Sequence, residues 1–128
     1  MAGRSASASG SRSAVQAGVS PAHRNEVRLV GRLGAQAEVR TLPSGDEIVT
    51  FRVVVERPGA RRSPRGPSVD TLDCAVTGAA LRRRVLGWSA GDVLEVTGAL
   101  QRRFWRSGSR VMSRCEIQVS RARRVRAG

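Results

Sequence analysis

The sequence has no lysine and no tyrosine, one histidine, two cysteines and only four aromatic residues (Phe51, Trp88, Phe104 and Trp105) in 128 positions. Each scarcity removes a class of function. His23 stands alone, and Cys74 and Cys115 are far apart with no C-x-x-C pair, so neither a structural zinc site nor any other metal or cofactor is expected. Both cysteines fall in strand-like runs and are expected as buried free thiols of a cytosolic protein. No apolar run is long enough to cross a bilayer, so no membrane partner is expected. There is no Gly-rich phosphate loop of Walker type. Asp70 and Asp73 sit three apart in an extended run and point to opposite faces, so they cannot act as a carboxylate pair and read as partners for arginines. The chain is not expected to be an enzyme.

What it has is arginine. All 23 of its basic residues are arginines, against ten acids, for a net charge of +13. A GC-rich coding bias accounts for Arg over Lys, given the abundant Ala and Gly, but not for the net charge. That charge asks for a polyanion, nucleic acid before an acidic membrane surface. Guanidinium groups grip phosphate bidentately and stack on bases.

Composition divides the chain. Residues 1–24 are Ser, Ala, Gly and Arg without an acid, and read as a disordered basic arm. They lack the apolar stretch of a signal peptide; an organellar transit peptide is an alternative reading of the same composition. Residues 25–120 hold 16 arginines and all ten acids and read as the single domain. Residues 121–128 read as a short basic tail. Inside the domain the hydrophobic period is two: 25–33, 47–56, 69–77, 91–100 and 110–119 alternate, the last placing Val111, Cys115, Ile117 and Val119 on one face. Residues 42–46 and 106–110 carry hairpin signals, and 57–68 is a Pro- and Arg-rich loop. Only 78–88 shows helical spacing, with Leu81, Val85 and Trp88 on one face. Three strands, a short helix and two strands is the order of an OB-fold, an all-β, five-stranded Greek-key barrel with room inside for side chains only. Phe51 and Trp88 are expected in its core.

"LQRRFWRSGSR", residues 100–110, places two of the four aromatics among arginines. In an extended ribbon Leu100, Arg102 and Phe104 share one face, and Gln101, Arg103 and Trp105 the other. One aromatic is expected to enter the barrel or its rim while the other projects. A projecting Trp105 can stack on a base while Arg102, Arg103, Arg106 and Arg110 hold phosphates. It can equally pack against a neighbouring subunit or loop.

Beyond periodicity, three stretches carry a resemblance: "NEVRLVGRLGAQAEVRTLPSGDEIVTFRVVVERP", "VDTLDCAVTGAALRRRV" and "GDVLEVTGALQRRFWRSG". In order and spacing they resemble the bacterial single-stranded DNA-binding protein family, from Asn25 to about Val119. The resemblance implies the same OB-fold and sequence-independent binding of single-stranded DNA in replication, repair or recombination. It places Trp105 on the family's stacking tryptophan, Arg103 on a basic residue before it, Arg40 on the arginine before the first hairpin, and Gly31 and Gly34 on first-strand glycines. It also implies a homo-oligomer paired through first-strand edges, a tetramer with a dimer as alternative, and a cytoplasmic, nucleoid-associated location.

The departures are specific. Thr71 and Thr77 stand where other members carry aromatics, and none appears near Glu56 to Pro58. Stacking is then expected from Trp105, helped by Phe104. The chain closes on Arg126-Ala127-Gly128 where replicative members carry an acidic tip that recruits replication and repair proteins, so a short accessory paralogue is expected. Arginines must carry more of the binding: Arg57, Arg61, Arg62 and Arg65 in the loop, with those of the hairpin. A barrel that docks on replication proteins and an RNA-binding barrel are the alternatives.

Overall fold

The computed structural model describes residues 22–59, 66 and 68–128. In chain order these form β1 (Val27–Leu33), β2 (Glu38–Thr41), β3 (Glu47–Glu56), β4 (Val69–Val76), α1 (Ala79–Leu86), β5 (Val93–Ser107) and β6 (Arg110–Arg126). β1 and β2 are halves of one first strand, bent at residues 34–37, so six segments build five barrel strands. β1 pairs with β5 on one side and, at its far end, with β3 through Arg32↔Val54 and Leu33↔Val53. β3 pairs with β4, β4 runs parallel to β6 at Cys74↔Ile117, and β6 returns antiparallel to β5. The ring closes, with the short helix between its third and fourth strands, as the OB order requires.

Alternation decides what lies inside. Leu33, Phe51, Val53, Cys74, Val76, Leu94, Val96, Ile117 and Val119 point inward to one core. The helix closes one end of it: Val85 is buried, Trp88 just beyond the helix is buried too, and Leu81 packs against them. Arg83 and Arg84 occupy the last helical turn, where the dipole favours positive charge. Gly31 has a steric reason. A Cβ there would collide with the carbonyl oxygen of Val54, so the crossing of β1 over β3 that shuts the barrel needs a residue without a side chain.

Two expectations change. Arg121 to Arg126, read from composition as tail, continue β6 and pair with β5 from Thr97↔Arg121 to Val93↔Arg126. The pairing slips between Thr97 and Gly98. The slip transfers the inward position of β6 from Val119 to Ala122, a change of phase that simple alternation hides. Cys115 is exposed, not buried. It shares a face with Ile117, but the β5–β6 ribbon leaves the barrel between these two residues, and beyond that point there is no core to face. Cys74 is the buried thiol, and burial pushes its pKa up to about 12, so it stays protonated and inert at neutral pH. Most of the arm expected over 1–24, and residues 60–65 of the basic loop, lie outside the described residues.

Candidate nucleic-acid interface

The outer half of the β5–β6 ribbon projects from the barrel as a two-stranded hairpin. Its turn is two residues, Gly108 and Ser109, with Gly108 at φ +65°, the positive dihedral that tight hairpin turns require. Counting back from this turn fixes the register: Ser107↔Arg110, Trp105↔Met112, Arg103↔Arg114 and Gln101↔Glu116. Opposed residues share a face, so Trp105, Arg103, Arg110, Arg114 and Glu116 stand together. Phe104, Arg102 and Arg106 stand on the reverse face with Val111, Ser113 and Cys115. Neither aromatic enters the barrel or its rim. Trp105 is 43% and Phe104 66% exposed, because the ribbon has already left the core behind.

The Trp105 face continues into a shallow groove of about 220 Å³ across the outer surface of β2, β3 and β4. Arg40, Arg52, Arg103 and Arg114 line it, with Glu38, Asp73 and Glu116 among them. Most of these cations already have partners. Asp73 accepts a hydrogen bond from Arg52 at 3.0 Å and lies 3.7 Å from Arg114. Arg103 donates to the buried carboxylate of Glu116 at 3.4 Å. Arg114 lies 5.6 Å from the centre of the Trp105 ring, a cation–π contact that covers one face of the indole. Arg40 has no ion pair among the described residues. The groove is thus lined by three arginines held by carboxylates and by a fourth, Arg40, that stands without one.

Other sequence candidates fare differently. Arg57 already has a partner: it binds Asp70 through both carboxylate oxygens, at 2.7 and 3.2 Å. Those bonds hold the Asp70 carboxyl below the usual carboxylate range. Arg61, Arg62 and Arg65 lie outside the described residues. Thr71 and Thr77 are exposed, so where resemblance expects aromatics the surface offers only hydroxyls. Sequence reasoning missed Arg52, Arg114, Asp73 and Glu116 as groove residues. The signal was present for the hairpin pair. A two-residue turn at 108–109 puts Arg114 opposite Arg103, and Glu116 one step further back on the same face.

Away from the groove, Glu95 is gripped by Arg28 at 2.8 Å and Arg123 at 2.7 Å, tying β1, β5 and β6 together on the barrel wall. Asp92 accepts the backbone N–H groups of Ser89 and Gly128 and lies 3.6 Å from Arg124. Both carboxyls are held below their ordinary range, Glu95 by Arg28 and then Arg123, Asp92 by the Ser89 and then the Gly128 amide. No group of three or more metal-ligating side chains occurs among the described residues.

A closed OB barrel with an aromatic-and-arginine hairpin beside a basic groove is the layout of a nucleic-acid binder. The family model described as "Single-strand binding protein family" matches residues 24–125. The chain belongs to that family. Single-strand binding proteins are non-enzymatic, and so is this chain; it binds single-stranded DNA. Solved structures share the fold at low identity. A Plasmodium falciparum SSB in complex with ssDNA superposes with a TM-score of 0.65 at 20% identity, over 82% of this chain and 96% of that one. The Saccharomyces cerevisiae mitochondrial single-stranded DNA-binding protein Rim1 gives 0.61 at 12% identity, over 80% and 96%. No curated protein sequence is significantly similar to the chain.

Proposed function

We propose that this protein coats single-stranded DNA during replication, repair or recombination, with the strand lying in the groove and against Trp105. One observation carries this reading: Trp105 stands exposed on the hairpin face that runs into the arginine-lined groove. A base stacks on the indole, Arg52, Arg103 and Arg114 exchange carboxylate for phosphate oxygens, and Arg40 takes a phosphate directly. Arg110, near the hairpin tip on the same face, extends the track. Stacking is indifferent to base identity, which suits binding without sequence preference. With one large stacking residue on this face, charge supplies more of the affinity, so the log–log salt slope should follow about −0.7 per phosphate contacted.

Assembly belongs to the same reading. Among the described residues the outer edge of β1 is unpaired from Val27 to Gly31, and Val30 is exposed beside a hollow that Val54 and Val55 also line. An unpaired edge with an apolar margin favours strand-to-strand pairing of two copies, as the first step to a homo-oligomer.

The test is a titration with oligo-dT followed by tryptophan fluorescence at low and moderate salt. Quenching that salt weakens, and that Trp105→Ala removes, is the expected result. The buried Trp88 supplies the unquenched background. Loss of about 1–3 kcal/mol per stacked base corresponds to a drop in affinity of about 5- to 150-fold in the variant. Unchanged affinity and quenching in Trp105→Ala would remove the indole from the binding path.

A further inference from the structure

The reverse face of the hairpin is not spare surface. Phe104 and Val111 are its main apolar groups, 66% and 63% exposed, the two most exposed large hydrophobic side chains among the described residues. Leu100, at the base of the same face, is 48% exposed. Arg102 and Arg106 flank Phe104 at i−2 and i+2, about 7 Å away along the strand on either side. That spacing is comparable to the step between nucleotides of an unstacked strand. Arg102 donates to the Ser113 hydroxyl at 2.9 Å, and neither arginine has an ion pair among the described residues. By register the face holds no carboxylate from Leu100 to Arg106 or from Val111 to Ile117. It therefore repeats the chemistry of the Trp105 side, an aromatic between guanidinium groups, without the acids that hold the arginines there.

We propose that this face is a second single-strand subsite, with Phe104 as the stacking surface and Arg102 and Arg106 as the phosphate contacts. The occupant is an unpaired oligonucleotide segment. A second copy of the same face does not fit, since two all-cationic surfaces would meet. Continuity favours nucleic acid over an acidic peptide. The ribbon is two strands wide, about 5 Å between strand axes, and a strand leaving Trp105 past Arg110 reaches Phe104 by turning round the tip. The segment comes either from the same strand or from another strand held back to back with it; the second arrangement brings two single strands together on one hairpin. The inference extends the reading of the Trp105 face and stands or falls separately from it.

The experiment uses the full chain, Phe104→Ala and Arg102→Gln/Arg106→Gln, with oligo-dT of graded length. Phe104 is exposed, so its truncation leaves the core intact. With a short oligo-dT that fills only the Trp105 face, both variants should bind and quench as the parent does. With longer oligo-dT the parent gains affinity and the variants lose about 5- to 150-fold of it. Energy transfer then separates the two sources. A rise between the ends of one doubly labelled long oligo-dT, lost in Phe104→Ala, means one strand turning round the tip. A rise between two separately labelled oligo-dT strands, lost in Phe104→Ala, means two strands. Energy transfer that survives Phe104→Ala belongs to assembly of copies and overturns the proposal. So does equal binding of long oligo-dT by parent and variants, an equal loss on short oligo-dT, or displacement of bound long oligo-dT by poly-glutamate only where Phe104 is present. Trp105→Ala, by contrast, reports on the Trp105 face alone.

Discussion

The barrel wall and the projecting hairpin are built from the same strands, β5 and β6, and from the same alternating pattern, yet they have opposite fates. Leu94 and Val96 on β5 and Ile117 and Val119 on β6 are buried; Leu100, Phe104 and Val111, further along the same two strands, are exposed. The charged groups divide in the same way. On the wall, Glu95 is clamped by two arginines and Asp92 by two amides. On the reverse face of the hairpin, arginines stand without any acid. The difference teaches that alternation specifies a strand, whereas the presence of an opposing layer decides whether its apolar face becomes core or contact surface.

The largest effect that sharpens this contrast is truncation of an aromatic on each side of the boundary. Phe51 is buried in the core between β3 neighbours and Cys74 of β4. Phe51→Ala leaves a cavity and should cost about 3–5 kcal/mol of folding stability, read as a lower urea midpoint. Phe104→Ala should leave that midpoint within about 0.5 kcal/mol of the parent, as a surface change does. If Phe104→Ala destabilised as much as Phe51→Ala, the hairpin would be packed against something and the contrast would fail.

That boundary also marks how far the sequence can be read. The five-strand, one-helix order was legible because each strand has at least one inward apolar row and the turns carry Gly and Pro. Trp88 and Phe51 were placed in the core from spacing alone. The exposure of Val111 and Cys115 was not legible, since nothing local in "RVMSRCEIQV" tells where the barrel ends. The strand over Arg121 to Arg126 was hidden by four exposed arginines and by a bulge that shifts the phase. At the candidate site, the exposed place of Trp105 on the hairpin was legible from its arginine neighbours and from family resemblance. Asp73 was legible as a partner for arginines but not as a groove residue, because it meets Arg52 across one strand pair and Arg114 across another, a meeting that only the closed barrel creates.

Asp73 supplies a smaller effect of opposite sign. Its carboxylate holds Arg52 and Arg114, and Arg114 in turn covers the Trp105 ring. Asp73→Asn removes a competing anion from the groove and loosens Arg114 from the indole. Oligo-dT affinity should rise several-fold at low salt, in line with the ~0–1 kcal/mol of a partly exposed ion pair, and the gain should shrink as salt screens it. A fall in affinity would mean that Asp73 serves the complex by aiming Arg114, and that the groove works as a preformed cradle instead of an exchange surface.

The smallest effect separates wall from hairpin by pH. Glu95 and Asp92 have folded-state pKa values below their ordinary ones. A carboxyl shifted in that direction contributes stability above its unfolded pKa, about 4, and loses it as pH falls through the lower folded value. The urea midpoint should therefore stay level with respect to these groups from neutrality down to about pH 5 and decline below that, and Glu95→Gln should make the decline shallower. The hairpin outside Glu116 has no carboxylate to protonate. The cross-strand contact of Arg102 with Ser113 carries no such group and should persist through the same titration. An Arg102–Ser113 contact that broke with the falling urea midpoint, before any loss of barrel structure, would show that the hairpin depends on the ion pairs of the wall and is not the independent arm its register describes.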